Sequence, residues 1–211
     1  LSVTAHLTEA DVAQAARDSC SCSCSCSETI MQVQAAAASG SVRSCPIPAN
    51  ALLEQYRQDG SFADCYCTDV IGDVSHERYV EAFYTTSVFK LERLILRFAV
   101  SRPSTDAQAA QLAQGAADSF AAWSVEARSD NQLLLCDLHG RTRSWLMTAP
   151  LENGAGTRLY FGSAVVPTRD EHSGETRLGQ AFSGLLGFHR LYSKILLRAA
   201  RSRLQSQLTD H

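Results

Sequence analysis

The sequence lacks several of the features by which a protein's chemistry is usually recognised. Its 19 Lys and Arg residues are outnumbered by 22 Asp and Glu residues, so the net charge is −3 and the basic excess that binds nucleic-acid backbones is absent. It has no run of about 18 apolar residues, the length of a membrane-spanning helix, and it begins without the basic-then-apolar pattern of a secretory signal. We therefore predict a soluble, cytoplasmic protein with neither a nucleic-acid partner nor an integral membrane segment.

Motifs for catalysis or cofactor binding are missing as well. The glycine-rich stretches NGAG (153–156) and SGLLG (183–187) do not have the spacing of a phosphate-binding loop and are typical of turns or close packing. The sequence contains no nucleophile motif. We predict no cofactor.

Cysteine is present in an unusual place. Half of the eight cysteines, Cys20, Cys22, Cys24 and Cys26, alternate with serine. Four thiolates can hold a tetrahedral metal ion, but structural zinc sites favour two to four residues between paired cysteines, and a Ser-Cys repeat is typical of low complexity. We predict no metal site, and a disordered tail over residues 1–45, because its few large apolar side chains bury too little surface to offset the entropy of ordering. One folded domain is predicted over residues 46–211, in which Cys65 and Cys67 are small buried hydrophobes.

Helix signals occur at both ends of this domain. A short helix is predicted to end at Gly60 and to lead into the first strand. Capping side chains at 73–75 precede a predicted helix over His76–Tyr84, and a second helix follows it and ends before Pro103. The clearest helix occupies the last 25 or so residues, where an apolar stripe is predicted to pack on a sheet. The stripe consists of Phe188, Leu191, Tyr192, Ile195, Leu196 and Ala199.

Between these helices the apolar period changes from 3.6 to two. Strands are predicted over residues 120–128, 133–138, 141–151 and 157–167, joined by short turns, and this arrangement indicates an antiparallel meander. Alternation places Trp123 with Val125 on one face of its strand, and Arg143, Trp145 and Met147 together on one face of another. A shift of one residue in this parity turns Trp145 to the other side of the sheet.

The chain resembles an uncharacterised bacterial family of the SRPBCC superfamily, whose fold is also called START-like, helix-grip or Bet v 1-like. The resemblance covers about residues 46–204 and lies in the order of elements and in the segments FADCYCTDV, EAFYTTSVFKLERLIL, DSFAAWSVEARSDNQLLLCD, GRTRSWLMTAPL and TRLYFGSAVVP. It implies an α+β fold in which a curved antiparallel sheet wraps a long C-terminal helix, in the order β-α-α-β-β-β-β-α. Related proteins bind lipids, sterols, polyketides or aromatic compounds between sheet and helix, and a minority are enzymes.

A ligand site between the sheet and the C-terminal helix is the expectation that follows. Such sites have aromatic walls and a few polar groups. The candidates are Trp123, Trp145 and Tyr160 on the strands, Phe188 and Tyr192 on the helix, and Arg143 as a clamp for a carboxylate. For each aromatic residue the alternative is an ordinary packed core position. For Arg143, and equally for Arg158, it is pairing with an acidic neighbour such as Glu126 or Asp137.

We predict that the protein binds a small apolar or amphipathic molecule and does not catalyse a reaction. One alternative is an enzyme of the same fold that uses His189, Asp137 or Glu126 as an acid or base, and a buried titratable group with a perturbed pKa facing the cavity favours it. A second alternative is an interaction module in which large side chains fill the space, leaving less than the roughly 300 Å³ of usual ligand sites.

Overall fold

The computed structural model describes residues 40–58, 61–91, 104–166, 168–169, 176–177 and 180–209, with the side chains of the last helix described from residue 189. The predicted tail up to residue 39, with its Ser-Cys run, lies outside these residues, as does most of the second predicted helix. The predicted tail includes residues 40–45, but the structure describes them, and Arg43 and Ser44 form a strand.

A seven-stranded antiparallel sheet is the frame of this α+β fold. The strands are β1 (Arg43–Ser44), β2 (Phe62–Ile71), β3 (Ser119–Phe120), β4 (Trp123–Ser129), β5 (Gln132–Asp137), β6 (Thr142–Pro150) and β7 (Gly156–Val165), in the spatial order β1-β2-β7-β6-β5-β4-β3. Strands β3 to β7 form the predicted meander. Strand β7 pairs along the whole of β2, from Phe62 opposite Val165 to Ile71 opposite Gly156. A separate two-stranded ladder joins β8 (Thr168–Arg169) and β9 (Thr176–Arg177).

The helices are α1 (Gln55–Gln58), α2 (His76–Tyr84), α3 (Asp106–Ala113) and α4 (Gln180–Thr209), and residues 87–91 are also helical. Helix α2 begins and ends where the sequence predicts. The side chain of Ser75 caps it by accepting a hydrogen bond from the Arg78 amide at 3.3 Å, which satisfies one of the free N–H groups of the first turn. Helix α3 lies in the Ala-Gln segment after Pro103 and starts with a capping box formed by Thr105 and Gln108.

The buried face of α4 overlaps the predicted stripe but is turned away from part of it: Leu196 is buried and Tyr192 packs against the core, as predicted. Its buried residues include Leu196, Leu197, Ala200 and Leu204, whereas Leu191 is 58% exposed and Ile195 is 42% exposed. The helix is apolar on adjacent stripes, so periodicity alone could not choose between them, and packing against β2 and α2 favours the second. None of the helices in the described part of the chain has both the length and the apolar character that crossing a membrane requires.

The sheet is buried on both faces at its centre. The helix face carries Leu133, Leu135, Leu146, Leu159 and Phe161 and packs against α2, α3 and α4. The opposite face carries Cys65, Leu134, Trp145, Met147 and Ala164 and is covered by residues 45–56, with Leu53 fully buried. Consecutive residues of β5 and β6 are therefore apolar, and alternation cannot tell one face from the other there.

The strand predicted over residues 120–128 is in fact two strands. They meet at a tight turn in which Ala121 has a positive φ of 53°. A bulge at Glu126 separates the pairs Val125–Leu135 and Ala127–Leu134. Because the bulge adds a residue to one strand, Val125 packs on the helix face and Ala127 on the opposite face.

An aromatic cluster fills the space between the sheet and α2. The ring centroid of Phe83 lies 4.9 Å from that of Phe161 and 5.2 Å from that of Tyr84. The Tyr84 ring in turn lies 4.8 Å from Phe89 and 5.4 Å from Phe120. Aromatic contacts of this kind stabilise a fold by about 0.5–1.5 kcal/mol each beyond the burial of area. This part of the helix face is packed protein interior.

Candidate functional site

The six predicted ligand-binding residues lie on different sides of the sheet. Trp145 and Tyr160 pack together on the opposite face, with ring centroids 6.2 Å apart. The parity that placed them toward α4 is wrong by one residue. Trp123 and Tyr192 are half-buried against the core of the helix face. Phe188 belongs to α4, but its side chain lies outside the described residues.

Trp145 is held as a core residue of the opposite face. Its indole Nε1 donates to Gln132 Oε1 at 3.0 Å, and the same oxygen accepts the Leu52 amide at 2.9 Å. The Gln132 Nε2 donates to the Asn50 carbonyl at 3.0 Å. Gly162 lies directly across the ladder from Trp145, where a Cβ would come within 2.7 Å of Leu53 Cδ2. Trp145 thus joins the sheet to the segment that covers it.

Both strand arginines are paired with carboxylates, the alternative to the predicted clamp by Arg143, although the partner of Arg158 is Asp69 and not one of the two acidic residues considered from the sequence. Arg143 Nε lies 2.6 Å from Glu126 and donates to the Tyr56 hydroxyl at 3.0 Å, with its guanidinium 4.8 Å from the Tyr56 ring centroid. Arg158 donates to both carboxylate oxygens of Asp69, at 2.7 and 3.1 Å. These contacts occupy the carboxylates, so Glu126 is part of an ion pair on the opposite face.

Asp137, the other carboxylate proposed as an acid or base, closes a turn. Its Oδ1 accepts the backbone amides of Arg141 and Thr142 at 2.7 and 3.2 Å. The turn continues through Gly140, whose φ of +69° favours glycine. Asp137 therefore has a structural role in the β5–β6 hairpin.

His189 is the predicted acid–base candidate that gains a carboxylate partner. Asp64 on β2 and Ser163 on β7 are direct neighbours in the ladder, on the helix face, and α4 places His189 above them. The Ser163 hydroxyl lies 2.6 Å from Asp64 Oδ1 and 2.7 Å from His189 Nε2, and the Tyr66 hydroxyl donates to Asp64 Oδ2 at 3.1 Å. We call these four residues the polar cluster.

The protons of the polar cluster can be assigned by counting donors. Burial alone would raise the pKa of the Asp64 carboxyl, but the nearby imidazole of His189, whose Nε2 lies 3.8 Å from Asp64 Oδ2, and the hydrogen bond from Ser163 outweigh burial and lower it. Asp64 is therefore an acceptor, and the single hydroxyl proton of Ser163 goes to it. The contact between Ser163 and His189 then needs a proton on His189 Nε2. In this arrangement the imidazole donates to the serine, so His189 does not activate Ser163 as a nucleophile.

A groove of about 550 Å³ lies beside the polar cluster, along the first half of β2. Its lining includes Asp64 and Tyr66 of the cluster, the apolar side chains of Pro46, Ile47 and Phe62, and Arg190 and Lys194 of α4. We call it the edge groove, because β1 pairs with Tyr66 and Cys67, and among the described residues no strand pairs with the start of β2 on that side. The lining of the groove therefore combines apolar side chains with charged ones.

Positive charge dominates the α4 side of the edge groove. Helix α4 contains five Lys and Arg residues and no Asp or Glu, in a chain whose net charge is −3. The Lys194 ammonium lies 5.7 Å from the Tyr66 ring centroid, within the range of a cation–π contact. Within the described residues, neither Lys194 nor Arg190 forms an ion pair with a carboxylate. An anionic group in the groove would meet two cations.

A second perturbed group, His76, was not predicted from the sequence. It lies at the start of α2 and lines a pocket of about 320 Å³ together with Glu77, Arg128 and Asp130. Both ring nitrogens are buried, and neither has a hydrogen-bond partner in the part of the chain that the structure describes. Burial, and secondarily the positive charge of Arg128, lower the pKa of His76 to about 4. A histidine at the first position of an amphipathic helix carries no sequence signal of such burial.

Comparison with known proteins does not assign a function to the site. The chain matches no protein-family model, no curated protein and no solved structure. The resemblance to the SRPBCC superfamily therefore stays a prediction. Among the described residues, no group of three or more His, Cys, Asp or Glu side chains is arranged to hold a metal ion.

Proposed function

We propose that this protein is a helix-grip protein that binds a small amphipathic molecule with an anionic head group in the edge groove, between the sheet and α4. The observation that carries the proposal is the composition of the groove, which contains both apolar residues and two cations. These cations, Arg190 and Lys194, have no acidic partner among the described residues. Ligand sites combine apolar walls with a few placed polar groups in this way, and usual sites measure about 300–1,000 Å³.

The order of elements supports the helix-grip assignment. Strand β2, helix α2, a meander and the long α4 follow one another as in the predicted order, and β7 returns to pair with β2. The additions are the two-residue strands β1 and β3 and the short helices α1 and α3. The aromatic cluster under α2 leaves the α4 end of the sheet as the place for a ligand in this proposal.

A binding titration with an aromatic sulfonate tests the proposal. Anilinonaphthalenesulfonate is amphipathic and anionic, and its fluorescence rises when it enters an apolar site. Arg190→Ala and Lys194→Ala each remove one charged contact, so we expect each to weaken binding about tenfold. Arg198→Ala is the matched control, because Arg198 is exposed on the same helix but does not line the groove. Equal affinities of all four proteins would refute the proposed site.

The assignment of protons in the polar cluster favours a second candidate function, acid–base catalysis by His189. When Nε2–H donates a hydrogen bond to Ser163, Nδ1 is the ring nitrogen that can act as a base. Asp64 and Ser163 fix the orientation of the ring. This candidate places His189 Nδ1, and not the serine, in the reaction.

Hydrolysis of an aryl ester such as nitrophenyl butyrate tests this candidate. If His189 acts as the base, His189→Gln abolishes turnover, whereas Ser163→Ala reduces it without abolishing it. Mass spectrometry of the reacting protein supplies a second readout. An acyl group on Ser163 would contradict the proton assignment, and no turnover above the His189→Gln background would exclude ester hydrolysis at this site.

A further inference from the structure

Three thiols lie together where the edge strand meets β2. Arg43 and Ser44 of β1 pair with Cys67 and Tyr66, and the same register continues to place Cys45 directly opposite Cys65. The Cys45 amide donates to the Cys65 carbonyl at 3.0 Å. The two sulfur atoms lie 3.3 Å apart. Cys67 follows two residues later on the same face of β2.

The backbone geometry suits a covalent bridge between Cys45 and Cys65. Directly opposed, hydrogen-bonded residues of antiparallel strands have Cα atoms about 5.5 Å apart, which is within the range of about 4.4–6.8 Å found in disulfides. Cys67 is the diagonal neighbour of Cys45, and diagonal pairs are about 7–8 Å apart. A bridge from Cys45 to Cys67 would therefore need the backbone to move.

The edge groove gives solvent access to this pair through Cys45, whereas Cys65 is buried at 2% exposure. Cys45 is half-buried, and Cys45 and Cys65 line the groove together. We propose that Cys45 and Cys65 form a redox-active pair that a low-molecular-weight disulfide, such as oxidised glutathione, converts to a disulfide bond. The bridge forms whether or not the groove binds a ligand, so this inference does not rest on the proposed function.

The reaction is two successive thiol–disulfide exchanges. One cysteine thiolate attacks a sulfur of oxidised glutathione, forms a mixed disulfide and releases one glutathione thiolate. The second cysteine attacks the protein sulfur of that mixed disulfide, and the second glutathione thiolate leaves. The two cysteine thiols are oxidised, one glutathione disulfide is reduced to two thiols, and the two protons pass to the glutathione thiolates.

The pH dependence of the reaction follows from the environment of Cys45. Its hydrogen bond with Cys65, and secondarily its burial, raise the pKa of the Cys45 thiol to about 12. Because the thiolate is the nucleophile, we expect bridge formation to be slow at neutral pH and to accelerate as the pH rises. Oxidation joins Cys45, the residue directly after β1, to β2 covalently and fixes that wall of the edge groove.

Peptide mapping of the full-length protein tests the pair, because trypsin separates the relevant cysteines. Cleavage after Arg43, Arg57 and Arg78 puts Cys45 in peptide 44–57 and Cys65 with Cys67 in peptide 58–78, while the tail cysteines fall in 18–43 and Cys136 in 129–141. The protein is treated with oxidised glutathione, and free thiols are blocked with iodoacetamide before digestion. We expect a cross-linked product of peptides 44–57 and 58–78, lighter than their sum by two hydrogen atoms.

Fragmentation of that product shows which cysteine of peptide 58–78 is bridged to Cys45, because only the unbridged cysteine carries the alkyl group from iodoacetamide. We expect it on Cys67. Cys65→Ser should abolish the cross-link, whereas Cys67→Ser and the unrelated control Cys136→Ser should retain it. A cross-link to Cys67, a bridge from Cys45 to the tail peptide, stable glutathionylation without a bridge, or unreacted thiols would each overturn the proposal. Oxidation in denaturing urea should give a mixture of disulfide bonds between different cysteines, and not one dominant bond between Cys45 and Cys65.

Discussion

The buried imidazole of His76 makes the stability of the fold depend on pH in a way that can be calculated. Its pKa is lowered to about 4 in the folded protein, from the ordinary value of 6.5. The unfolded chain therefore binds more protons than the folded chain once the pH falls below about 6.5, and stability declines with falling pH. The stabilisation is fully present above about pH 6.5 and is lost as the pH falls to about 4.

The size of the effect follows from the two pKa values. Each unit of difference is worth about 1.4 kcal/mol, so the complete loss is about 3 kcal/mol, and about 2 kcal/mol is already lost at about pH 5. Glu77, Arg128 and Asp130 are the charged residues around the same pocket. Only Arg128 contributes to lowering the His76 pKa, after burial.

Urea unfolding of wild type and His76→Gln at about pH 7.5 and about pH 5 isolates this contribution. Glutamine does not titrate, so between the two conditions the wild type should lose about 2 kcal/mol more than the variant. His139→Gln is the matched control, because His139 is exposed in the β5–β6 turn. Parallel losses for wild type and His76→Gln would refute the assignment of a buried neutral imidazole.

Three further predictions concern packing. Gln132→Ala removes the acceptor of Trp145 Nε1 and of the Leu52 amide, so unfolding in urea should show a loss of about 3 kcal/mol; a loss below about 1 kcal/mol would mean that water replaces these bonds. Gly162→Ala inserts a Cβ against Leu53 and should cost about 1–3 kcal/mol in the same assay, and an unchanged midpoint would contradict the close approach. Leu197→Ala should cost about 2–5 kcal/mol and Leu191→Ser less than about 0.5 kcal/mol, whereas the reverse order would restore the face of α4 predicted from the stripe.

Local signals predicted the main elements well. Tyr79, Val80 and Phe83 recur at one-turn spacing behind the capping residue Ser75, and α2 has the predicted bounds. The turns at Gly140 and at residues 153–156 separated the strands of the meander. These features depend on residues close together in the sequence, and no tertiary information is needed to interpret them.

The sequence could not predict in the same way which face of the sheet each side chain lies on, or which distant residues come together. Strands β5 and β6 are buried on both faces, so alternation did not reveal that Trp145 points away from α4. The one-residue bulge at Glu126 reverses the face between Val125 and Ala127. The two-residue strands are too short to give a period.

The polar cluster shows why the candidate site was missed. Asp64, Ser163 and His189 come from β2, β7 and α4, and they meet only because β7 pairs with β2 in one particular register. The sequence offered His189, Asp137 and Glu126 as separate acid–base candidates and named no partner for His189; Asp137 and Glu126 are engaged in a turn and an ion pair. The partner, Asp64, belongs to a strand far away in the sequence.

Native mass spectrometry of the gently purified full-length protein, followed by organic extraction, tests the central claim that the edge groove binds an amphipathic anion. We expect a bound species that ionises as an anion after extraction, together with a lower occupancy in Arg190→Ala and Lys194→Ala than in Arg198→Ala. A protein that carries no ligand and shows no thermal shift with a panel of fatty acids and aromatic carboxylates would contradict the claim. That result would favour an interaction module with a filled core.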